Sequence, residues 1–413
     1  GINAEYGDQM KGASILLFLI AYLFAIMTLA QFCESKAVQK TSIKYKVYRI
    51  LLSPISLPFK LLKIDIVKSI QDFMDRMNNG RSYAITCFYY ALYFVSLYFT
   101  YRSSVSQNTI IFPHVDQKDS TKMQWKPYNT KAIGMDFMPP VLILVMFLCH
   151  FASFVSFTVS VRRHPNSKTN NYVADGIMYA AKKCEECKAP RPPRTGHCEN
   201  CKECIQKRDH HCIWINRCVG RRNLLWFNIF LNSTAYACLL VGLMNIVTVG
   251  KMMSQFPSKE VNMMMLYKKK VFGMGFIFQW LLSSIPVHTA SGFIHLVISA
   301  MLIPFGAVHI IQILTNQTSY EKQKIQYVKE GLRYEEYDMC RIKDPMKKKY
   351  LKEKGRPHII LREHTENMDD VIFEEERYEI LTLKAAIKEI SRYNFYSVGM
   401  IRNLVQVIKD GFE

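Results

Sequence analysis

Charged side chains are missing from five long stretches of this 413-residue chain: Ala13 to Phe32, Ser82 to Tyr101, Met138 to Val159, Phe227 to Val249 and Ala290 to Leu314. Each is about 20 residues or longer, enough to cross a bilayer core of roughly 30 Å. Five such runs exclude a soluble protein in which each is a buried core helix. A sixth apolar stretch, Val271 to Ile285, contains Gln279, is broken by Gly273 and Gly275 and stops at Pro286. It is too short to span and reads as an interfacial segment. The first run has no small-residue cleavage site after it, so it reads as a retained anchor rather than a signal peptide. Glu5 stands where an N-myristoylation signal wants Ser or Thr. No repeat or low-complexity tract is present. Between Arg162 and Arg222 apolar periodicity is absent, so that insert cannot form a hydrophobic core and needs another staple.

Acidic residues are also scarce. Thirty-four Asp and Glu against 54 Lys and Arg leave a net charge of +20. In a soluble protein this would suggest nucleic acid; here the cations sit in loops between apolar runs, where they orient the chain and attract anionic lipid heads. The loop from Cys33 to Arg81 holds ten Lys or Arg against four acids and is expected on the cytosolic side. The segment 102 to 137 then falls on the far side, Arg162 to Arg222 in the cytosol, 250 to 289 on the far side, and the tail after Leu314 in the cytosol. Arg49 to Lys63, with its alternating apolar and basic residues, reads as a membrane-surface segment or a solvated loop. In the tail, a basic stretch (347 to 356) and an acidic one (374 to 379) precede an amphipathic helix expected over Tyr378 to Tyr393.

What fills the insert is cysteine and histidine. Seven of the 12 cysteines lie between 184 and 218, namely Cys184, Cys187, Cys198, Cys201, Cys204, Cys212 and Cys218, together with His197, His210 and His211. In a reducing compartment this spacing reads as zinc rather than disulfide. Two closed tetrahedral sites take eight ligands, which leaves two of these ten groups over. Neighbours in extended backbone project to opposite sides, so His197 and Cys198 serve different ions, and His210 and His211 cannot readily share one. One set is then Cys184, Cys187, His197 and Cys204; the other is Cys198, Cys201, one of the two histidines and Cys218. The surplus is a histidine and a cysteine from Asp209-His210-His211-Cys212, a base beside a nucleophile, with a carboxylate available to fix the imidazole tautomer.

Through CxxC (184 to 187), HC (197, 198), CxxC (198 to 201 and 201 to 204), DHHC (209 to 212), Cys218, Asn223 and Phe227, the sequence resembles the DHHC family of zinc-dependent protein S-acyltransferases. The "RPPR" element (191 to 194) fits as well. "TSYE" (Thr318, Ser319, Glu321) is similar to the family's TTxE motif with Ser319 for the second threonine. "YSVGMIRN" is similar to its carboxy-terminal element, with Tyr396, Gly399 and Asn403 in step. Ile213 and Arg217 depart from the frequent proline and asparagine of the family.

The resemblance implies that His211 completes the second zinc set, His210 is the general base, Asp209 its orienter and Cys212 the nucleophile. Long-chain acyl-CoA (palmitoyl-CoA) is the implied donor, cysteine-containing proteins near the membrane are the implied acceptors, and transfer is expected in two steps. Lys207, Arg208, Arg217, Arg221 and Arg222 are candidate contacts for the CoA phosphates, and Ala235, Ala237 and Cys238 are candidates for small residues that leave an acyl pocket. The expected fold is an α-helical polytopic membrane protein with about five transmembrane helices, a small cytosolic cysteine-rich domain holding two structural zinc ions, and a cytosolic tail. Its expected divisions are 1–161 (spans 13–32, 82–101 and 138–160), 162–226 (zinc domain), 227–314 (spans 227–249 and 290–314) and 315–413. Expected partners are membrane lipids and protein substrates, with room for an accessory subunit and no nucleic acid; the location is an endomembrane (ER or Golgi) or the plasma membrane. The competing expectation is a catalytically silent zinc-stabilised scaffold.

Overall fold

The computed structural model describes residues 84–105, 108–115, 123–130, 138–169, 172–175, 177–179, 182–254, 286–353, 358–363 and 378–413. The chain divides into two compact units. One comprises Gly1–Met74, Cys87–Val155 and Phe230–Gly306, the other Asp75–Thr86, Ser156–Ile229 and Ala307–Glu413.

The long helices are α1 (Ala84–Val105), α2 (Pro140–Arg162), α3 (Leu224–Ser254) and α4 (Pro286–Thr315). Among the described residues three stretches are long and apolar enough to cross a membrane: Pro140–Arg162, Leu224–Lys251 and Val287–Thr315. The expected span over Ser82 to Tyr101 forms α1, which is helical but carries Tyr89, Tyr90, Tyr93, Tyr98 and Tyr101; these phenols reduce its apolarity. The expected anchor Ala13 to Phe32, the basic loop, the surface segment at 49 to 63 and the interfacial stretch Val271 to Ile285 lie outside the described residues.

Within the first unit the helices satisfy their polar atoms internally, as hydrocarbon surroundings require. Thr234 Oγ1 donates to the Phe230 carbonyl at 2.7 Å, Thr248 Oγ1 to Met244 at 2.8 Å, and Asn245 Nδ2 to Val241 at 2.8 Å. Met146, Val241 and Met244 form a fully buried knot. A Cβ on Gly242 would lie 2.6 Å from Leu296, so the absence of a side chain there lets α3 and α4 approach closely. Strands β1 (Asn108–Val115) and β2 (Met123–Thr130) pair antiparallel as a hairpin.

The second unit holds three short antiparallel pairs: β3 (Lys182–Lys183) with β4 (Pro190–Arg191), β5 (Thr195–Cys198) with β6 (Glu203–Gln206), and β7 (His210–Cys212) with β8 (Arg217–Val219). It continues with α5 (Ser319–Arg333), β9 (Tyr337–Ile342), α6 (Pro345–Glu353), β10 (Ile359–Glu363), β11 (Tyr378–Ile380), α7 (Leu383–Ser391) and α8 (Met400–Phe412). The sheet order is β10-β9-β11, antiparallel throughout. Ile325, Val328, Leu332, Met339, Ile359, Ala386 and Ile390 make its core with Ile177, Met178 and Tyr179. The helix expected over Tyr378 to Tyr393 therefore begins as a strand, because Tyr378 to Ile380 pair with Ile342 to Cys340 on β9; the helix proper is α7.

Helix α5 starts on a capping box. Thr318 Oγ1 accepts the Glu321 N–H at 3.2 Å, and Glu321 Oε2 accepts the Thr318 N–H at 2.8 Å. Gly399, with φ of 100°, precedes α8 in a conformation that L side chains rarely adopt, and its carbonyl accepts the Asn403 N–H at 2.8 Å.

Candidate functional site

Strand alternation sorts the cysteines and histidines. In the β5/β6 pair His197 stands opposite Cys204, so those two share a face while Cys198 projects to the other. In the β7/β8 pair His211 stands opposite Cys218, which leaves His210 and Cys212, two residues apart, together on the reverse face. Two of the three CxxC steps, 184/187 and 198/201, close on themselves. The Cys187 N–H donates to Cys184 Sγ at 3.5 Å and the Cys201 N–H to Cys198 Sγ at 3.4 Å, and the following residues, Lys188 and Lys202, take φ of 53° and 56° to turn the chain.

Two clusters result, Cys184, Cys187, His197 and Cys204 in one and Cys198, Cys201, His211 and Cys218 in the other, each with its ligand atoms within 4.8 Å of one another. A tetrahedral zinc ion with bonds of about 2.3 Å to sulfur and about 2.0 Å to nitrogen puts sulfurs about 3.8 Å apart and nitrogen about 3.5 Å from sulfur. In the first cluster the Cys204 and Cys187 sulfurs are 3.7 Å apart, and His197 Nδ1 lies 3.3, 3.5 and 3.9 Å from Cys187, Cys184 and Cys204. In the second the Cys201 and Cys218 sulfurs are 3.7 Å apart, and His211 Nδ1 lies 3.3, 3.6 and 3.9 Å from Cys201, Cys198 and Cys218. These are the edges of two tetrahedra, and the donor sets fit zinc.

Cys212 belongs to neither cluster. Its buried thiol is a hydrogen-bond neighbour of His210. The other ring nitrogen, His210 Nδ1, lies 2.8 Å from Asp209 Oδ2. Burial alone would depress the imidazole; the hydrogen bonds to Asp209 and Cys212 outweigh it and push His210 up to about 10. Asp209 is itself buried, which would raise it, but His210 and the Ser319 N–H, which donates to Oδ1 at 2.5 Å, hold its carboxyl well below the usual carboxylate range. His309, near the end of α4, brings Nδ1 to 3.8 Å from Asp209 Oδ2, and Phe227 sets its ring edge-on to both His210 and His309.

Behind Asp209 lies a second layer. Arg194, fully buried, donates from Nε to Glu321 Oε1 at 2.7 Å and from Nη2 to Oε2 at 3.1 Å. It also donates to the Asn316 side chain and carbonyl at 3.1 and 2.6 Å, between the rings of Tyr172 and Tyr396. Tyr396 accepts Asn316 Nδ2 on its carbonyl at 2.7 Å, and Asn403 Nδ2 donates to the Leu314 carbonyl at 2.7 Å. Sequence spacing did not reveal His309 or the Arg194–Glu321 pair, because both act across more than 90 positions; the only signal was that "RPPR" and "TSYE" each stood out as motifs. Ser319 also meets Asp209 through its main chain, whereas its hydroxyl accepts Gln312 Nε2 at 2.7 Å.

The five cations expected at CoA differ in exposure. Lys207 and Arg221 are buried, Arg221 donates to Asp410 Oδ1 at 2.9 Å, and neither presents its charge to solvent. Arg222 donates to the Glu413 carbonyl at 2.7 Å, Arg217 to the Arg162 carbonyl at 3.3 Å, and Arg208 lies over the Tyr320 ring; these three are half-buried. In the first unit a cavity of about 130 Å³ is lined by Tyr89, Phe99, His150, Ala237, Cys238 and Ile298 among others. Ala235, also buried, is not among its lining residues.

Residues 177–326 match the family model for the DHHC palmitoyltransferase domain. The likeness to the DHHC palmitoyltransferases rests on this segment. Protein S-acyltransferase 8 of Arabidopsis thaliana is 26% identical over 166 residues, covering 38% of this chain and 34% of the relative. Palmitoyltransferase ERF2 of Candida glabrata is 52% identical over 80 residues, 18% of this chain and 24% of the relative. Palmitoyltransferase ZDHHC9 of Bos taurus is 37% identical over 88 residues, 21% and 24% of the two. The chain thus spans about a quarter to a third of the length of these relatives.

Proposed function

We propose that the chain is a protein S-acyltransferase that carries a long-chain acyl group from acyl-CoA to Cys212 and then to cysteine thiols of proteins at the membrane surface. The observation that carries this reading is the row Asp209, His210, Cys212, with the thiol outside both metal clusters. His210 holds the proton that Cys212 gives up, and its positive charge favours the thiolate that attacks the thioester carbonyl. As the C–S bond to CoA breaks, His210 returns the proton to the departing CoA thiolate. In the second step His210 takes the proton of the acceptor thiol, whose sulfur attacks the acyl-Cys212 thioester, and returns it to Cys212. Asp209 keeps the imidazole in the tautomer that faces Cys212.

Zinc bound at the two clusters would have four protein ligands each and no open position, and would supply folding energy rather than an activated water. The cavity lined by Tyr89, Phe99 and Ala237 suits the apolar tail of the donor, at about 0.8 kcal/mol per buried CH₂. Arg208, Arg217 and Arg222 remain the cations for CoA phosphate. The zinc domain and tail are assigned to the cytosol, where thiols stay reduced, and α1 and the run Ala13 to Phe32 are assigned as two further spans.

The test is incubation of the purified full chain with a long-chain acyl-CoA. An adduct on Cys212 that hydroxylamine removes is expected, and Cys212→Ser should lose it while keeping its zinc. Normal labelling of Cys212→Ser would refute the assignment.

A further inference from the structure

The last helix, α8, is built inside out for a soluble domain. Its buried side consists of Asn403, Val407, Asp410 and Gly411. Its outward side carries Met400, Ile401, Leu404, Val405, Ile408 and Phe412; Ile401 is 80% exposed and Phe412 67%. At 3.6 residues per turn these six form one continuous apolar stripe. Arg402 and Lys409, seven positions apart and both exposed, run along its border. An apolar stripe of this size on a free helix calls for an occupant.

Two contacts say which. Near its start α8 is fastened to the end of one membrane helix, where Asn403 Nδ2 donates to the Leu314 carbonyl at 2.7 Å in the last turn of α4. Near its finish it is fastened to the beginning of another, α3: the Trp226 indole N–H donates to the Gly411 carbonyl at 2.8 Å, and the Trp226 and Phe412 rings meet at 5.4 Å. A Cβ on Gly411 would lie 2.7 Å from Leu225, so this approach is close. The candidate spans begin at Leu224 and end at Thr315. A helix tied to both of those ends runs along the boundary where the chain leaves the bilayer, with tryptophan at the level it favours.

We propose that α8 lies in the interface of an anionic lipid surface, its apolar stripe among the acyl chains and Arg402 and Lys409 among the headgroups. The inner-face bonds of Asn403, Asp410 and Gly411 tie α8 to the rest of the second unit, so α8 is the element through which this unit seats on lipid. The proposal stands apart from the acyl-transfer reading, since none of these residues belongs to the Asp209, His210, Cys212 row.

The test uses the full chain in nanodiscs of phosphatidylcholine with or without phosphatidylserine. The photoreactive residue p-benzoylphenylalanine is placed at Ile401, at Ile408 and, as a comparison, at Met346, which is nearly as exposed as Ile401 but lies on α6, outside the helix proposed to meet lipid. After irradiation, mass spectrometry should find phospholipid adducts at 401 and 408 and none at 346. Where a position fails to fold, as judged by zinc content, Val405 replaces it. The double change Arg402→Gln with Lys409→Gln should lower adduct yield severalfold in discs that contain phosphatidylserine and leave it nearly unchanged in those without. Absence of lipid adducts at 401 and 408, adducts equal to those at 346, or chain-to-chain crosslinks in their place would overturn the proposal. Equal yield with and without the two cations would remove its anionic component.

Discussion

Asp209 Oδ1 accepts the main-chain N–H of Ser319 at 2.5 Å, although 110 positions separate the two residues. Ser319 is the first residue of α5, so the carboxylate sits at the positive end of a helix whose start is locked by Thr318 and Glu321. One oxygen is thus held by the helix while the other, Oδ2, orients His210. The motif around Thr318 and Glu321 contributes to the reacting face through geometry.

Asp209→Asn tests this directly. An amide has a single acceptor oxygen and loses the charge, so it cannot serve the Ser319 N–H and His210 Nδ1 as the carboxylate does. Single-turnover formation of the Cys212 adduct should slow by about 10² to 10⁴-fold, by analogy with the loss of a tautomer-fixing carboxylate elsewhere. Zinc content should not change, since Asp209 is a ligand in neither cluster.

Arg194 and Glu321 form an ion pair with side chains 0% and 1% exposed. Arg194→Met leaves a buried carboxylate uncompensated and should cost about 3 to 5 kcal/mol of stability. The double variant Arg194→Met with Glu321→Leu removes both charges and should recover much of that loss. Thermal unfolding of the two single variants and the double gives the coupling energy. Additive losses would show that the pair does not act as a unit.

The short-range logic of this protein was readable from its sequence. Alternation along extended backbone separates His197 from Cys198 and His210 from His211, and the β5/β6 and β7/β8 registers put these residues on opposite faces. Charge-free runs correspond to α2, α3 and α4 because hydrocarbon length fixes helix length. Long-range pairing was not readable. Nothing near Lys207 or Arg221 announces that Asp410 closes over this region, so both looked like surface cations. Nor does Tyr378 to Ile380 alone declare a strand, because its partner Cys340 to Ile342 lies almost 40 residues upstream and supplies the hydrogen bonds that override helical periodicity.

Metal removal should act on fold before chemistry. Each cluster depends on three thiolates and one imidazole, and protons compete for all of them. Chelation, or acidification far enough to protonate the thiolates, should abolish the cooperative unfolding transition of the second unit, and native mass spectrometry should show two zinc ions lost per chain. Cys218→Ser should bind less zinc and unfold at lower temperature, while Cys212→Ser should match the parent in both measurements. If Cys212→Ser also loses zinc, the thiol is a ligand and the division of the cysteines made above is wrong.

Lys207 is buried, and its Nζ has no hydrogen-bond partner among the described residues. Burial, with Arg194 nearby, pushes the amine down to about 7, against the favourable influence of Asp410 and Glu321. The unfolded chain keeps this proton up to a pH of about 10.4. Between these two values the unfolded state binds a proton that the folded state does not, so this group makes stability rise with pH across that window. Below about 7 both states are charged and the whole cost of enclosing an ammonium is present. Lys207→Met should therefore stabilise the chain by about 1 to 3 kcal/mol near pH 6. That gain should shrink toward pH 10, where the lysine it replaces is already neutral. Thermal midpoints of parent and variant at both ends of the range decide the matter. A variant destabilised equally at both would mean that the amine is held by a partner and is no source of strain.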